Sequence, residues 1–235
     1  HHTGIGAGIV SAYGSVDIQR WASLADRYAD DGTIDRVYAD MLVAGAARAL
    51  GDEERFQGLL RKASKLALQL DDASALVWSS APLLMGAATP PELHDERIAL
   101  AEEISKRSLE AIQSTSLANT LFSLGQVYLT WGRREEAERD WQRAREVAVR
   151  SRDAQMALVP FQIDALVQTL DGHLEQLLEI GAQIRARGAE LGREQAGRAL
   201  GARAVRRALI YLGRAEEALA GLPDSPDLFL VGGVY

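Results

Sequence analysis

Carboxylates stand in two tight groups, Asp30-Asp31 with Asp35, and Asp71-Asp72. Paired aspartates projecting from mid-helix into one cavity would hold magnesium against a diphosphate. Here Gly32 interrupts the first group and both groups fall at breaks in the apolar rhythm, where Asp caps the next helix and favours its dipole. Capping is the expected role. Of the four histidines, His1 and His2 open the chain like the end of a purification tag, which leaves His94 and His173. Neither has a second histidine or a ligand at i+3 or i+4, so no metal site or triad is expected. The run Gly4-Ile5-Gly6-Ala7-Gly8 lacks the preceding strand that a phosphate-binding loop requires and reads as a leader. With no cysteine in the chain, thiolate chemistry is excluded as well. No catalytic residue, cofactor or metal is expected, and the chain reads as a non-enzyme.

Cations are distributed less evenly. Eight arginines (185, 187, 193, 198, 203, 206, 207 and 214) face only Glu190 and Glu194 between positions 185 and 214, in a protein whose net charge is -7. Arg suits bidentate contacts to carboxylate or phosphate, so the stretch is a candidate anion-accepting surface. Residues 194–209 have the flavour of a helix-turn-helix DNA reader. The interval from Gly201 to Leu209 is too short for a turn and a recognition helix, and its alanines predict one uninterrupted helix. Nucleic acid is therefore not an expected partner. The uncharged run between Asp72 and Glu92 contains Pro82, Gly86 and Pro90-Pro91 and does not read as a membrane span. The expected compartment is the cytoplasm.

The elements that must carry these residues are helices. Hydrophobic residues make up 47% of the 235, alanine and leucine dominate, and no segment alternates like a strand. Apolar stripes predict helices over 17–29, 33–50, 52–70, 72 to a break at Pro82, 92–113, 117–131, 133–151, 153–170, 173–188 and 194–212, and a short one after Gly213. In the first, Ile18, Trp21, Leu24, Ala25 and Tyr28 form the stripe; in the third, Phe56, Leu59, Leu60, Ala63, Leu66, Ala67 and Leu70. The joints are regular. Gly51, Gly132, Gly172 and Gly213 each separate two apolar-periodic helices, the last three 40 and 41 residues apart. Trp131-Gly132-Arg133-Arg134-Glu135-Glu136-Ala137 and Leu212-Gly213-Arg214-Ala215-Glu216-Glu217-Ala218 write the same turn twice. About eleven helices in stacked antiparallel pairs, an all-α solenoid, is the architecture this spacing implies.

Between Ala118 and Ser151 the order Leu121, Leu124, Gly125, Tyr128, Gly132, Ala137, Trp141, Ala144 resembles the tetratricopeptide repeat, although Val149 stands where that family closes with proline. More distantly, the long-helixed array is similar to the regulatory repeats of bacterial multidomain signalling proteins. The resemblance implies a right-handed solenoid whose concave wall is lined by the first helix of each pair. It places Asn119, Phe122 and Gln126 on that wall as the second, fifth and ninth residues from Ala118. The register of Gly172 adds Gln162 and Leu166, and that of Gly213 adds Arg203 and Arg207 as an anion clamp. Carboxylate-gripping members of the family also carry an asparagine at the sixth position, where this chain has Ala204. An acidic, phosphorylated or carboxylate-ended segment is thus the expected ligand.

These readings converge on a protein–protein interaction module that binds a peptide or partner segment, expected to be acidic, in its groove. The alternative is an effector-sensing solenoid of a bacterial transcription activator or nucleotide cyclase that binds a small ligand. Residues 1–16 read as tag remnant and leader, 17–222 as a single solenoid and 223–235 as a tail. Its Leu228, Phe229, Leu230 and Val231 would cap the last helices or dock on a second copy as a homo-oligomer.

Overall fold

The computed structural model describes residues 16–84, 93–151 and 156–220, and every regular element among them is a helix. There are eleven α-helices: α1 (Val16–Tyr28), α2 (Ile34–Ala49), α3 (Glu53–Gln69), α4 (Ala73–Leu84), α5 (His94–Ser105), α6 (Ser114–Thr130), α7 (Arg134–Arg150), α8 (Val159–Asp171), α9 (Leu174–Glu190), α10 (Glu194–Tyr211) and α11 (Ala215–Ala220). A 3-10 turn, Met156–Leu158, leads into α8. The glycine run at 4–8, the pair Pro90-Pro91 and the tail 223–235 lie outside the described residues.

One joint recurs. At Gly51, Asp71, Gly132, Gly172, Gly192 and Gly213 the backbone turns left-handed, with φ between 52° and 78°. Each of these amides donates to the carbonyl three residues back, and the next amide donates to the carbonyl five residues before it. At Gly132 these are Gly132 N to Leu129 O and Arg133 N to Tyr128 O; at Gly213, Gly213 N to Ile210 O and Arg214 N to Leu209 O. That pattern satisfies the orphan carbonyls of a helix end. The residue after the turn then opens the following helix, as in Asp52 O accepting from Phe56 N and Arg193 O from Gly197 N. Asp71 holds the same conformation at a cost that glycine avoids, and aspartate tolerates it better than most residues. Counting Asp71 and Gly192, the joints fall every 20 or 21 residues within 51–71 and 172–213, one helix at a time.

Caps follow only partly as expected. The carboxylates of Asp52 and Asp72 accept from the amides of Arg55 and Ala75. On α2 the capping group is Thr33, whose hydroxyl accepts from Arg36 N and donates to Asp30 O. Asp30 and Asp31 thus do not cap it. Asp71 sits in the turn itself and reaches Arg107.

The described chain forms two compact units: one of α1–α5 with residues 126–133, the other of residues 113–125 and 134–220. In the first, Ala44, Phe56 and Leu60 form a core cluster covered by Leu59 and Leu83. Buried Arg36 bridges α1 and α2, donating to the Asp26 carbonyl and carboxylate and pairing with Asp40, which also meets Lys62 of α3. In the second, Ala165, Leu177 and Ala208 join α8, α9 and α10, while Val205, Leu209 and Ala218 join α10 and α11. Leu178 packs against both clusters, so this core is continuous. Successive helices pack on one another from α1 to α5 and from α7 to α11, and α2 also touches α4 while α8 touches α10. Such nearest and next-nearest packing is that of stacked helix pairs.

Two kinds of close approach hold the second unit. A Cβ on Gly125 would collide with the Trp141 indole, which is fully buried and donates from Nε1 to Phe122 O at 3.1 Å. Between α9 and α10 the backbones themselves meet: a Cβ on Gly188 would lie 2.6 Å from Gly197 Cα, and one on Gly201 2.7 Å from Gly181 O. The glycines that gave residues 194–209 a helix-turn-helix flavour therefore serve helix contact, and α10 runs unbroken from Glu194 to Tyr211.

Three expectations are corrected. The helix expected over 92–113 is α5, which stops at Ser105; Leu109 and Ile112 are buried in the turn that follows, and burying them outweighs helix propensity. The helix expected over 117–131 is α6, which starts three residues earlier, with Ser114, Thr115 and Ser116 in its first turn. On α1 the covered side chain is Ala22, whereas Trp21 and Tyr28 of the apolar stripe are 63% and 71% exposed.

Glycines of opposite consequence give a test. Gly58 lies inside α3 with open space around it, so Gly58→Ala should stabilise by about 0.5–1 kcal/mol through lost unfolded-state freedom. Gly188→Ala should destabilise by about 1–3 kcal/mol, because the neighbouring backbone cannot yield like a side chain. Urea unfolding of both variants measures the two signs.

Candidate functional site

α10 is amphipathic in an unusual sense. Gly197, Gly201, Val205, Ala208 and Leu209 are buried. Arg203, Arg206, Arg207 and Ile210, at i, i+3, i+4 and i+7, share the outward face. Arg207 and Ile210 are exposed, Arg203 and Arg206 half-buried. Arg206 and Arg207 have no ion-pair partner among the described residues, and no acid lies within one turn of them on α10. By contrast Arg187 pairs with Glu190, and Arg214 grips Glu217 with both Nε and Nη2. That grip holds the Glu217 carboxyl below the ordinary glutamate range. The outward face of α10 is thus a cationic stripe with an apolar end, suited to carboxylate or phosphate oxygens.

The other candidate residues lie as follows. Asn119, Phe122 and Gln126 share one face of α6, opposite buried Leu121, Leu124 and Tyr128. Asn119 is exposed; Phe122 and Gln126 are half-buried. The carbonyl of Asn119 accepts from Ser123 Oγ and that of Phe122 from Trp141, so the backbone of this turn is fully engaged while the two side chains face outward. Asn119 and Phe122 belong to the second unit and Gln126 to the first. Gln162 and Leu166, at i and i+4 on α8, are half-buried, and α8 touches the helix that carries Arg203 and Arg207. Ile210 was not among the candidates, and Arg206 was counted in the arginine-rich stretch but not in the expected clamp. A register borrowed from one repeat picked the fifth and ninth positions, whereas the i, i+3, i+4, i+7 rule alone would have gathered all four.

Of the two internal histidines, His173 has a structural contact. His173 Nδ1 lies 2.7 Å from Gln168 Oε1 at the α8–α9 joint. Among the described residues no group of three His, Cys, Asp or Glu could hold a metal ion, and no helix is long and apolar enough to cross a membrane. No protein-family model matches the chain, and neither does any curated protein.

Asp140 is the one buried carboxylate of the second unit with a resolved perturbation. Burial pushes its carboxyl above the ordinary aspartate range, against the opposing pull of Arg143, whose Nη1 donates at 3.1 Å, and of Arg139. Between its ordinary value of 3.8 and the raised native value the folded state binds more protons than the unfolded one, so stability falls as pH rises through that window. Asp140→Asn should remove this fall. Relative to the parent, the variant should gain at neutral pH and lose its advantage below the ordinary aspartate range, read from melting temperatures across pH.

Proposed function

We propose that the chain is a non-catalytic interaction module built from tetratricopeptide-like helix pairs, which receives an acidic segment of a partner protein along the outward faces of α8 and α10. The arginine stripe of α10 is the observation that carries this reading. Gln162 and Leu166 on the touching helix supply an amide and an apolar contact, the mixture that suits an extended peptide. Asn119, Phe122 and Gln126 offer the same mixture on α6. Regular joints make a scaffold whose stacking faces are buried and whose remaining faces are free to recognise, the usual division of labour in helical repeats.

Magnitudes decide how such a surface works. A charge-assisted hydrogen bond contributes about 1.5–3 kcal/mol where water is excluded, and about 1 kcal/mol or less on open surface. Affinity therefore has to come from several contacts made at once, with half-buried Arg203 and Arg206 weighing more than Arg207.

The test is binding of an acidic peptide, followed by calorimetry at two salt concentrations. Arg203→Glu/Arg207→Glu should weaken binding about tenfold or more and flatten its salt dependence. Adding Arg206→Glu should deepen the loss. Unchanged affinity in a variant that melts like the parent would dismiss the arginine stripe as the site.

A further inference from the structure

The first unit carries a face of opposite chemistry. α4 buries Ala75, Leu76, Val77, Ser79 and Ser80, yet within this helix Trp78 stands 48% exposed. α2 touches α4 and presents Tyr38, 36% exposed, with Asp35 one turn before it on the same face. Burial and the Asp72 carboxylate both push the Tyr38 phenol above its ordinary value, which sets Asp72 close to that ring. Asp31, Asp35 and Asp72 have no ion-pair partner among the described residues. The half-exposed Tyr38 ring beside Asp35 and Asp72, whose carboxylate also caps α4 through Ala75 N, can receive guanidinium groups, which stack on the ring and pair with the acid. Asp31 and Trp78 are exposed elsewhere on the same unit.

We infer that this acidic, aromatic face of α2 and α4 receives the arginine stripe of α10 from a second copy of the chain. The inference rests on the reading of that stripe as an acid-binding surface, and names the acid. Charge complementarity argues for it: uncompensated carboxylates with Tyr38 and Trp78 on one side, Arg206 and Arg207 ending in exposed Ile210 on the other. All of these side chains remain at least partly exposed to solvent and are available to a second molecule. Because the two faces differ, the contact is heterologous, and copies join head to tail into a ring or an open chain.

Sedimentation of the full chain over a wide concentration range tests this. The parent should associate reversibly, more weakly as salt rises. Arg206→Glu/Arg207→Glu and Asp31→Lys/Asp35→Lys should each raise the dissociation constant about tenfold or more, and Trp78→Ala should raise it without altering charge. Mixing the two charge variants should restore association, since each retains one parental face; circular dichroism melts check that all are folded. A parent that stays monomeric, association indifferent to charge reversal, or a mixture that stays apart would each overturn the inference. Acidic-peptide binding measured on the same proteins separates the two readings. If the arginine variant loses the peptide while the parent never associates, only self-association is wrong; if the parent binds no acidic peptide and never associates, both are.

Discussion

Six of the helix joints depend on a left-handed turn placed just beyond the last residue of a helix. It closes two carbonyls of the ending helix and hands the next residue over as the start of another, so that successive helices are separated by very few residues. A loop that short leaves neighbours no choice but to pack against each other. The apolar stripes then need only match the adjacent helix, and the core becomes a chain of local clusters such as those sharing Leu178. Glycine is the natural occupant because it enters the left-handed region without strain. At position 71 the same geometry is imposed on aspartate, which shows that the flanking helices, not the residue, dictate the turn there.

Two solutions to helix contact coexist in the second unit, and they differ in how they tolerate change. At Gly125 the missing side chain accommodates an indole, whose Nε1 is tied to Phe122 O, so the contact is between a groove and a ring with a fixed orientation. At Gly188, Gly197 and Gly201 the missing side chains let backbones touch directly. An indole can be replaced by a smaller ring with a cavity as the penalty. Two apposed backbones can only move apart, which would also pull Leu177 and Ala208 out of contact.

How much of this was legible follows from where information is local. The joints at Gly51, Gly132, Gly172 and Gly213 could be read directly, because turn conformation is written in neighbouring residues. Asp71 escaped, since aspartate in a turn also signals capping. The end of α5 escaped for a different reason: its sequence continues to favour helix, and only tertiary burial of Leu109 and Ile112 stops it. The stripe on α1 was recognised, but periodicity cannot say whether anything covers it, and Trp21 and Tyr28 stand open. Among the site residues, Arg203 and Arg207 were legible as a pair. Arg206 was read as part of the arginine-rich stretch but left out of that pair, because the pair followed a repeat register instead of the i, i+3, i+4 spacing of a helix.

The arginine stripe is also where local stability and surface chemistry part. Elsewhere in the second unit like-charged neighbours such as Arg139 and Arg143 stand among pairs of opposite sign, as in Arg134 with Glu138, Asp140 with Arg143, Arg187 with Glu190 and Arg214 with Glu217. Such pairs stabilise a helix by about 0.2–0.5 kcal/mol each, and like charges at that spacing destabilise it by similar amounts. On α10, Arg203 with Arg206 and Arg203 with Arg207 are like-charged neighbours with no acid within a turn on that helix. A glutamate at 199 or 210 would relieve the repulsion without touching the glycine face. The repulsion is tolerable only because that face holds the helix through backbone contact independent of charge. A helix anchored in this way can carry a cationic surface that its own sequence disfavours, and an acidic partner would relieve the repulsion that the helix itself does not.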